Sequence, residues 1–130
     1  SVQYQDDEKS ETELLTRAKL YNVNGRDIIS YEDTSATGFE GSVTTITVEG
    51  SKSASIIREG TANSVLSLEL GRKHYCQYGT PYGSMQISVY THAIDNTIAK
   101  DGRLYLKYTL DLNSSYLSDN EIIMKVEEQN

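Results

Sequence analysis

The chain has 130 residues, enough for one ordinary domain with one core and too few for two. Apolar residues at 37 % and charged residues at 24 % describe a globular chain rather than a disordered one. A formal charge of -7 repels phosphate backbones and anionic lipid, so neither nucleic acid nor a membrane is an expected partner.

Cys76 stands alone, so no internal disulfide can form. No signal peptide opens the chain and no apolar run reaches the length of a membrane span. The expectation is a cytoplasmic protein. Ten Tyr against one Phe and no Trp suit strands whose faces are partly wet.

Period-two alternation dominates and predicts strands almost throughout. Over Thr12 to Tyr21, Leu14, Thr16, Ala18 and Leu20 share one face. Asn24-Gly25 reads as a hairpin turn, since both positions accept positive φ, and Asp27 to Glu32 returns. A loop with Gly38 and Gly41 leads to the β-branched run Val43 to Glu49. Gly50-Ser51 turns into Ser53 to Arg58, with Ala54, Ile56 and Arg58 on one face. Leu66, Leu68 and Leu70 alternate next, then His74, Cys76 and Tyr78. Thr80-Pro81-Tyr82-Gly83 interrupts the chain before Met85, Ile87, Val89 and Thr91. The one helical candidate is Ile94 to Lys100, and Asp101-Gly102 reads as a further hairpin turn. Leu104, Leu106, Tyr108, Leu110 and Leu112 alternate without a break, and Ile122, Met124 and Val126 close the chain. The pattern predicts an all-β single domain over 1–130: one antiparallel meander of about nine strands, closed as a small β-barrel because closure removes both edges.

Several segments carry a family resemblance: Tyr31-Glu32-Asp33, Gly38 through Gly41, Thr44-Thr45-Ile46 and Ile57-Arg58-Glu59-Gly60. It continues through Tyr78-Gly79-Thr80-Pro81-Tyr82-Gly83, Leu106 to Leu110 and Asn120-Glu121. In these the chain, from about Leu14 to its end, resembles the YwiB-like proteins, small bacterial β-barrels of the calycin (lipocalin-like) kind. The resemblance implies a barrel of about 8–10 strands. It implies no activity, because that family has no agreed catalytic residues.

Arg58 is the most informative residue, because the alternation puts a guanidinium on an apolar face. Such a group must be paired, and at a barrel mouth it can grip a carboxylate or phosphate with two bonds. The structural reading is a pair with Glu32 or Asp33, or a strand-end Arg reaching solvent. Tyr31, Tyr78, Tyr82 and Tyr108 are candidate ligand contacts, or else core and rim tyrosines satisfied by the backbone. Glu32 and Asp33 are consecutive in a strand and point to opposite faces, so they are not an acid/base pair. His74 and Cys76 could reach one metal, but two ligands do not make a zinc site, and His92 faces outward. The sequence calls for no metal and no cofactor.

Three readings follow. The first is a binding module for a small, anionic ligand in the barrel, using Arg58, Glu32 and the four tyrosines. The second is a homodimeric interaction protein pairing through an edge strand. The third is a small-barrel enzyme in which Arg58 stabilises charge beside a Tyr or Glu32.

Overall fold

Alternation gives nearly every strand one apolar face, and these faces meet in one core. The computed structural model describes residues 2–6, 11–14, 17–35, 37–61, 63–80, 83–112 and 114–127. In chain order the elements are β1 (Val2–Asp6), β2 (Glu11–Leu14), β3 (Ala18–Val23), β4 (Arg26–Glu32), β5 (Ser42–Glu49) and β6 (Ser53–Gly60). They continue with β7 (Ser64–Glu69), β8 (Lys73–Thr80), β9 (Gly83–Thr97), the one-turn helix α1 (Ile98–Asp101), β10 (Arg103–Leu112) and β11 (Ser115–Lys125). All strands belong to one antiparallel sheet in the order β2-β1-β11-β10-β9-β8-β7-β6-β5-β4-β3.

The inner face follows the period of two closely. Ile29 and Tyr31 of β4, Ile46 and Val48 of β5, Ala54 and Ile56 of β6, and Leu66 and Leu68 of β7 are buried. So are Ile87 and Val89 of β9, Leu104, Leu106 and Tyr108 of β10, and Ile122 and Met124 of β11. Each fully buried aliphatic side chain contributes about 1.5–3 kcal/mol relative to exposure. At Leu70 the pattern fails, because that residue follows the end of β7 and is exposed.

Two turns explain where strands reverse. Asn24 and Gly25 have φ of 54° and 81°, which is the primed hairpin turn the dipeptide predicts. Gly60 lies opposite Ser42 in the β5–β6 ladder, and a Cβ there would stand 2.5 Å from the Gly41 carbonyl oxygen. Only glycine allows the two backbones to approach so closely.

The predicted helix is shortened, while the chain does reverse at Asp101-Gly102, where Thr97 of β9 pairs with Arg103 of β10. Residues up to Thr97 continue β9, and only Ile98–Asp101 are helical, capped by Gly102 at φ 74°. The reason is a β-bulge. Tyr108 faces Thr91 while Lys107 faces Ala93, so His92 is the extra residue. The bulge moves the inward set from odd positions (Ile87, Val89, Thr91) to even ones (Ile94, Asn96), and a broken alternation reads as helical spacing.

The sheet curls. β9 and β4 are five strands apart, about 24 Å across a flat sheet. Yet Asn96 Nδ2 of β9 donates to Asp27 Oδ2 of β4 at 3.1 Å and to the Gly50 carbonyl at 3.0 Å. The first strand also meets the last: β1 pairs with β11 from Val2↔Met124 to Asp6↔Asn120.

The expected closed barrel is corrected in one respect. The strands number eleven, and among the described residues no ladder joins β2 to β3, so the sheet keeps two edges. One additional strand is Val2–Asp6, too short to register by periodicity; the other arises because the predicted strand Thr12 to Tyr21 is divided into β2 (Glu11–Leu14) and β3 (Ala18–Val23). Among the described residues no helix is long and apolar enough to cross a membrane.

Candidate functional site

The inward parity of three neighbouring strands sets one row. Tyr31 on β4 lies opposite Thr44 on β5, and Thr44 lies opposite Arg58 on β6. Asp33 follows β4 at the same parity as Tyr31, and its backbone N–H donates to the Ser42 carbonyl at 2.8 Å. This carries its carboxylate to the inner face, where the side chain is fully buried beside Arg58, whose side chain is 16 % exposed.

A buried carboxylate must be satisfied or it destabilises the fold by several kcal/mol. Asp33 is satisfied on both oxygens. Thr44 Oγ1 donates to Oδ2 at 2.7 Å and Arg58 Nε donates to the same oxygen at 3.3 Å. Arg58 Nη2 reaches Oδ1 at 3.5 Å and Thr37 Oγ1 donates to it at 3.2 Å. Thr44 is the link in the chain, because its Oγ1 also accepts from Arg58 Nε at 3.2 Å. The Phe39 ring lies 3.8 Å from Arg58 Cζ, a cation–π contact that covers one face of the guanidinium.

The loop between β4 and β5 holds this arrangement. Thr37 N–H donates to the Thr34 carbonyl, Gly38 N–H to the Ser35 carbonyl and Ser42 N–H to the Phe39 carbonyl, each at 3.1 Å. Thr61, just past β6, ties the loop down through Ser42 Oγ at 3.0 Å and the Glu40 carbonyl at 2.8 Å.

Burial pushes the Tyr31 hydroxyl pKa up, and the Asp33 carboxylate adds to the shift; Arg58 and a hydrogen bond with Thr44 act the other way. Tyr31 is therefore a neutral phenol at physiological pH, a hydrogen-bonding group rather than a base.

Of the residues the sequence singled out, Tyr31 and Arg58 come together. Glu32 does not join them: it is exposed on the outer face, and its neighbour Asp33 takes the guanidinium instead. Tyr108 is buried in a different row, on β10 between Thr91 of β9 and Asn120 of β11, four strands from β6. Tyr82 lies outside the described residues, as does the side chain of Tyr78, whose backbone pairs with Ser64 and Met85.

Sequence reasoning passed over Thr44, Thr37 and Phe39. Thr44 had a signal, since it shares parity with Ile46 and Val48 and so places a hydroxyl inward. Thr37 and Phe39 belong to a loop, where no period exists to show direction.

Two clusters lie elsewhere. His74 Nε2 lies 3.0 Å from Glu69 Oε1, while the buried Cys76 accepts a hydrogen bond from Ser67 N–H at 3.4 Å. No group of three metal-ligating side chains occurs among the described residues. On the outer face, His92 Nε2 is 2.6 Å from Thr109 Oγ1, which donates to Asp119 Oδ1 at 2.6 Å. Because Thr109 spends its proton on the carboxylate, His92 carries a proton on Nε2.

The model of the family described as "Domain of unknown function (DUF1934)" matches residues 1–124. The chain belongs to this family. Its fold is similar to that in the crystal structure of the ywiB protein from Bacillus subtilis, with a TM-score of 0.73 at 15 % sequence identity, covering 98 % of this chain and 89 % of that one. The YwiB-like resemblance read from the sequence is thereby borne out, and at that identity the likeness speaks for fold alone. No curated protein matches the chain.

Proposed function

We propose that this DUF1934 chain is a cytoplasmic binding module on a calycin-like barrel, holding a small anionic ligand at the Arg58 end of the curled sheet. The observation that carries the reading is the half-used guanidinium. Asp33 and Thr44 fix its Nε edge and Phe39 its face, while Nη1 makes no hydrogen bond among the described residues. A guanidinium held this way keeps donors in a fixed orientation for a carboxylate or phosphate. Pre-organisation lowers the entropy cost of binding.

The surroundings favour the rim over the interior as the place of binding. Ile46, Val48, Leu68, Val89, Leu104, Leu106 and Met124 are each no more than 1 % exposed, so these interior positions are filled by packed aliphatic side chains. An open groove of about 750 Å³ runs past Arg17, Lys19 and Tyr31. Its two cations outnumber its one carboxylate, Glu32, and favour the approach of an anion toward Tyr31, which lies one strand from Thr44 and two from Arg58. Support for the barrel comes from the Asn96 contacts, which draw β9 and β4 together across the curled sheet.

Native mass spectrometry of protein purified from its own host tests the reading, with Arg58→Lys as the comparison. Lysine keeps the charge and loses the fork. A small anion retained by the parent protein and absent from Arg58→Lys is the expected result. A parent protein that carries nothing, and whose melting temperature is unmoved by millimolar carboxylates or phosphate, would overturn it.

A further inference from the structure

We propose that the anionic group held at Arg58 is a carboxylate rather than a phosphate, and that Phe39 sets this choice. The site is the one described above, so the assignment rests on the binding function proposed for it and names the chemistry of its ligand.

A guanidinium carries five N–H donors in one plane. Nε and Nη2 of Arg58 face Asp33, and Nε also faces Thr44. Among the described residues Nη1 makes no hydrogen bond, so the edge left for a guest is the one between Nη1 and Nη2. That edge offers two parallel N–H groups, one from each nitrogen. A carboxylate meets them with both oxygens in the guanidinium plane. A tetrahedral anion that uses two oxygens there raises its other substituents above and below the plane. One side of that plane is already taken, because Arg58 Cζ lies 3.8 Å from the centre of the Phe39 ring. The face of an aromatic ring is the negative part of its quadrupole. It attracts the guanidinium and repels an anionic oxygen lifted towards it. A planar anion slides in beside the ring, and a tetrahedral one meets it.

Charge points the same way. Asp33 already balances the guanidinium, at 3.3 Å. The open cleft beside this pair is walled by Glu32, Asp33 and Glu40, with no cation in its wall among the described residues. A phosphate monoester brings about -1.5 to -2 charges at neutral pH, where a carboxylate brings one. Glu32 and Glu40 repel the additional charge. Arg17 and Lys19 line the neighbouring groove, which shares Glu32 and Val43 with the cleft, and they act on the approach rather than at the fork.

A nuclear magnetic resonance titration that follows the Arg58 Nε–H signal, identified by its absence from Arg58→Lys, tests the proposal. The probes are acetate, methanesulfonate and methyl phosphate, at neutral pH and one ionic strength. Methanesulfonate is tetrahedral with a single charge, so it separates shape from charge. Acetate should bind about tenfold more tightly than methyl phosphate, with methanesulfonate between them. Phe39→Ala clears the guanidinium face and should bring methanesulfonate level with acetate, while methyl phosphate stays weaker because Glu32 and Glu40 remain. Circular dichroism checks that the variant folds. If it does not, Phe39→Leu, which keeps the bulk and loses the π face, takes its place and should narrow the gap in the same direction. Methyl phosphate bound by the parent protein as tightly as acetate would overturn the carboxylate assignment and leave Arg58 standing as an anion site. An acetate preference over methanesulfonate that survives the Phe39 substitution would overturn the role of Phe39. A signal that no probe moves would overturn the binding function and this assignment together.

Discussion

Two chains of carboxylate, threonine and nitrogen donor cross adjacent strands in this molecule, one facing the core and one facing solvent. The inner one runs Asp33, Thr44, Arg58 at the ends of β4, β5 and β6; the outer runs Asp119, Thr109, His92 across β11, β10 and β9. In each, the threonine hydroxyl donates to the carboxylate and accepts from a side-chain N–H. The outer bonds are shorter, 2.6 Å each, against 2.7 Å and 3.2 Å for the inner threonine. Length nevertheless does not set their worth. The Asp33 side chain has no exposure, whereas His92 is exposed, and water replaces any bond the outer groups lose. The environment of the unmade bond decides what the made bond is worth.

The sharpest break in the comparison comes from Arg58→Ala. It leaves a fully buried carboxylate with two hydroxyl donors and no cation, and should lower unfolding free energy by about 3 kcal/mol. Urea unfolding at neutral pH measures it. A loss below about 1 kcal/mol, the range of exposed pairs, would mean that Asp33 is rehydrated and the inner chain is not special.

Thr44 and Thr91 sharpen the point, because one substitution should have opposite signs at the two sites. Both are fully buried inner-face threonines. Thr44→Val removes a donor to Asp33 and an acceptor for Arg58, and should cost about 2 kcal/mol. Thr91 Oγ1 is buried without a hydrogen-bond partner among the described residues. Thr91→Val replaces that hydroxyl with a methyl of the same shape, so stability should rise by about 1 kcal/mol. The two urea midpoints moving in the same direction would contradict this account.

Legibility in the sequence followed the same division. Period two placed Arg58, Ile56, Leu106 and Met124 inward, because a strand with one buried face must alternate. It also placed Asp33 opposite in direction to Glu32, and Asp33 as a partner for Arg58 stood among the structural readings. What periodicity could not show was the loop: Phe39 reaches Arg58 and Thr37 reaches Asp33 through turns whose direction depends on tertiary contacts. Nor could it show the bulge at His92, since one inserted residue inverts the parity of everything after it. The edges were missed for a related reason. Alternation predicts that β3 has two unlike faces, yet Ala18 and Leu20 are as exposed as their neighbours, because exposure at an edge depends on what lies beside the strand.

The smallest expected effect is at the outer chain. Thr109→Val severs both 2.6 Å bonds, yet His92 is exposed and Asp119 half-buried, so each regains water. The cost should be about 0.5 kcal/mol, and it should shrink further in high salt, which screens exposed charges. The bulge gives this experiment a second reading. His92 is the residue that shifts the β9 register, and its hydrogen bond to Thr109 is the one side-chain bond from the bulged residue to β10 among the described residues. If Thr109→Val proves as costly as Thr44→Val, the outer chain is not a solvated ornament but the clamp that fixes the register change. Its worth would then come from the backbone it holds in place, since a slipped register would turn Ile94 and Ile98 out of the core.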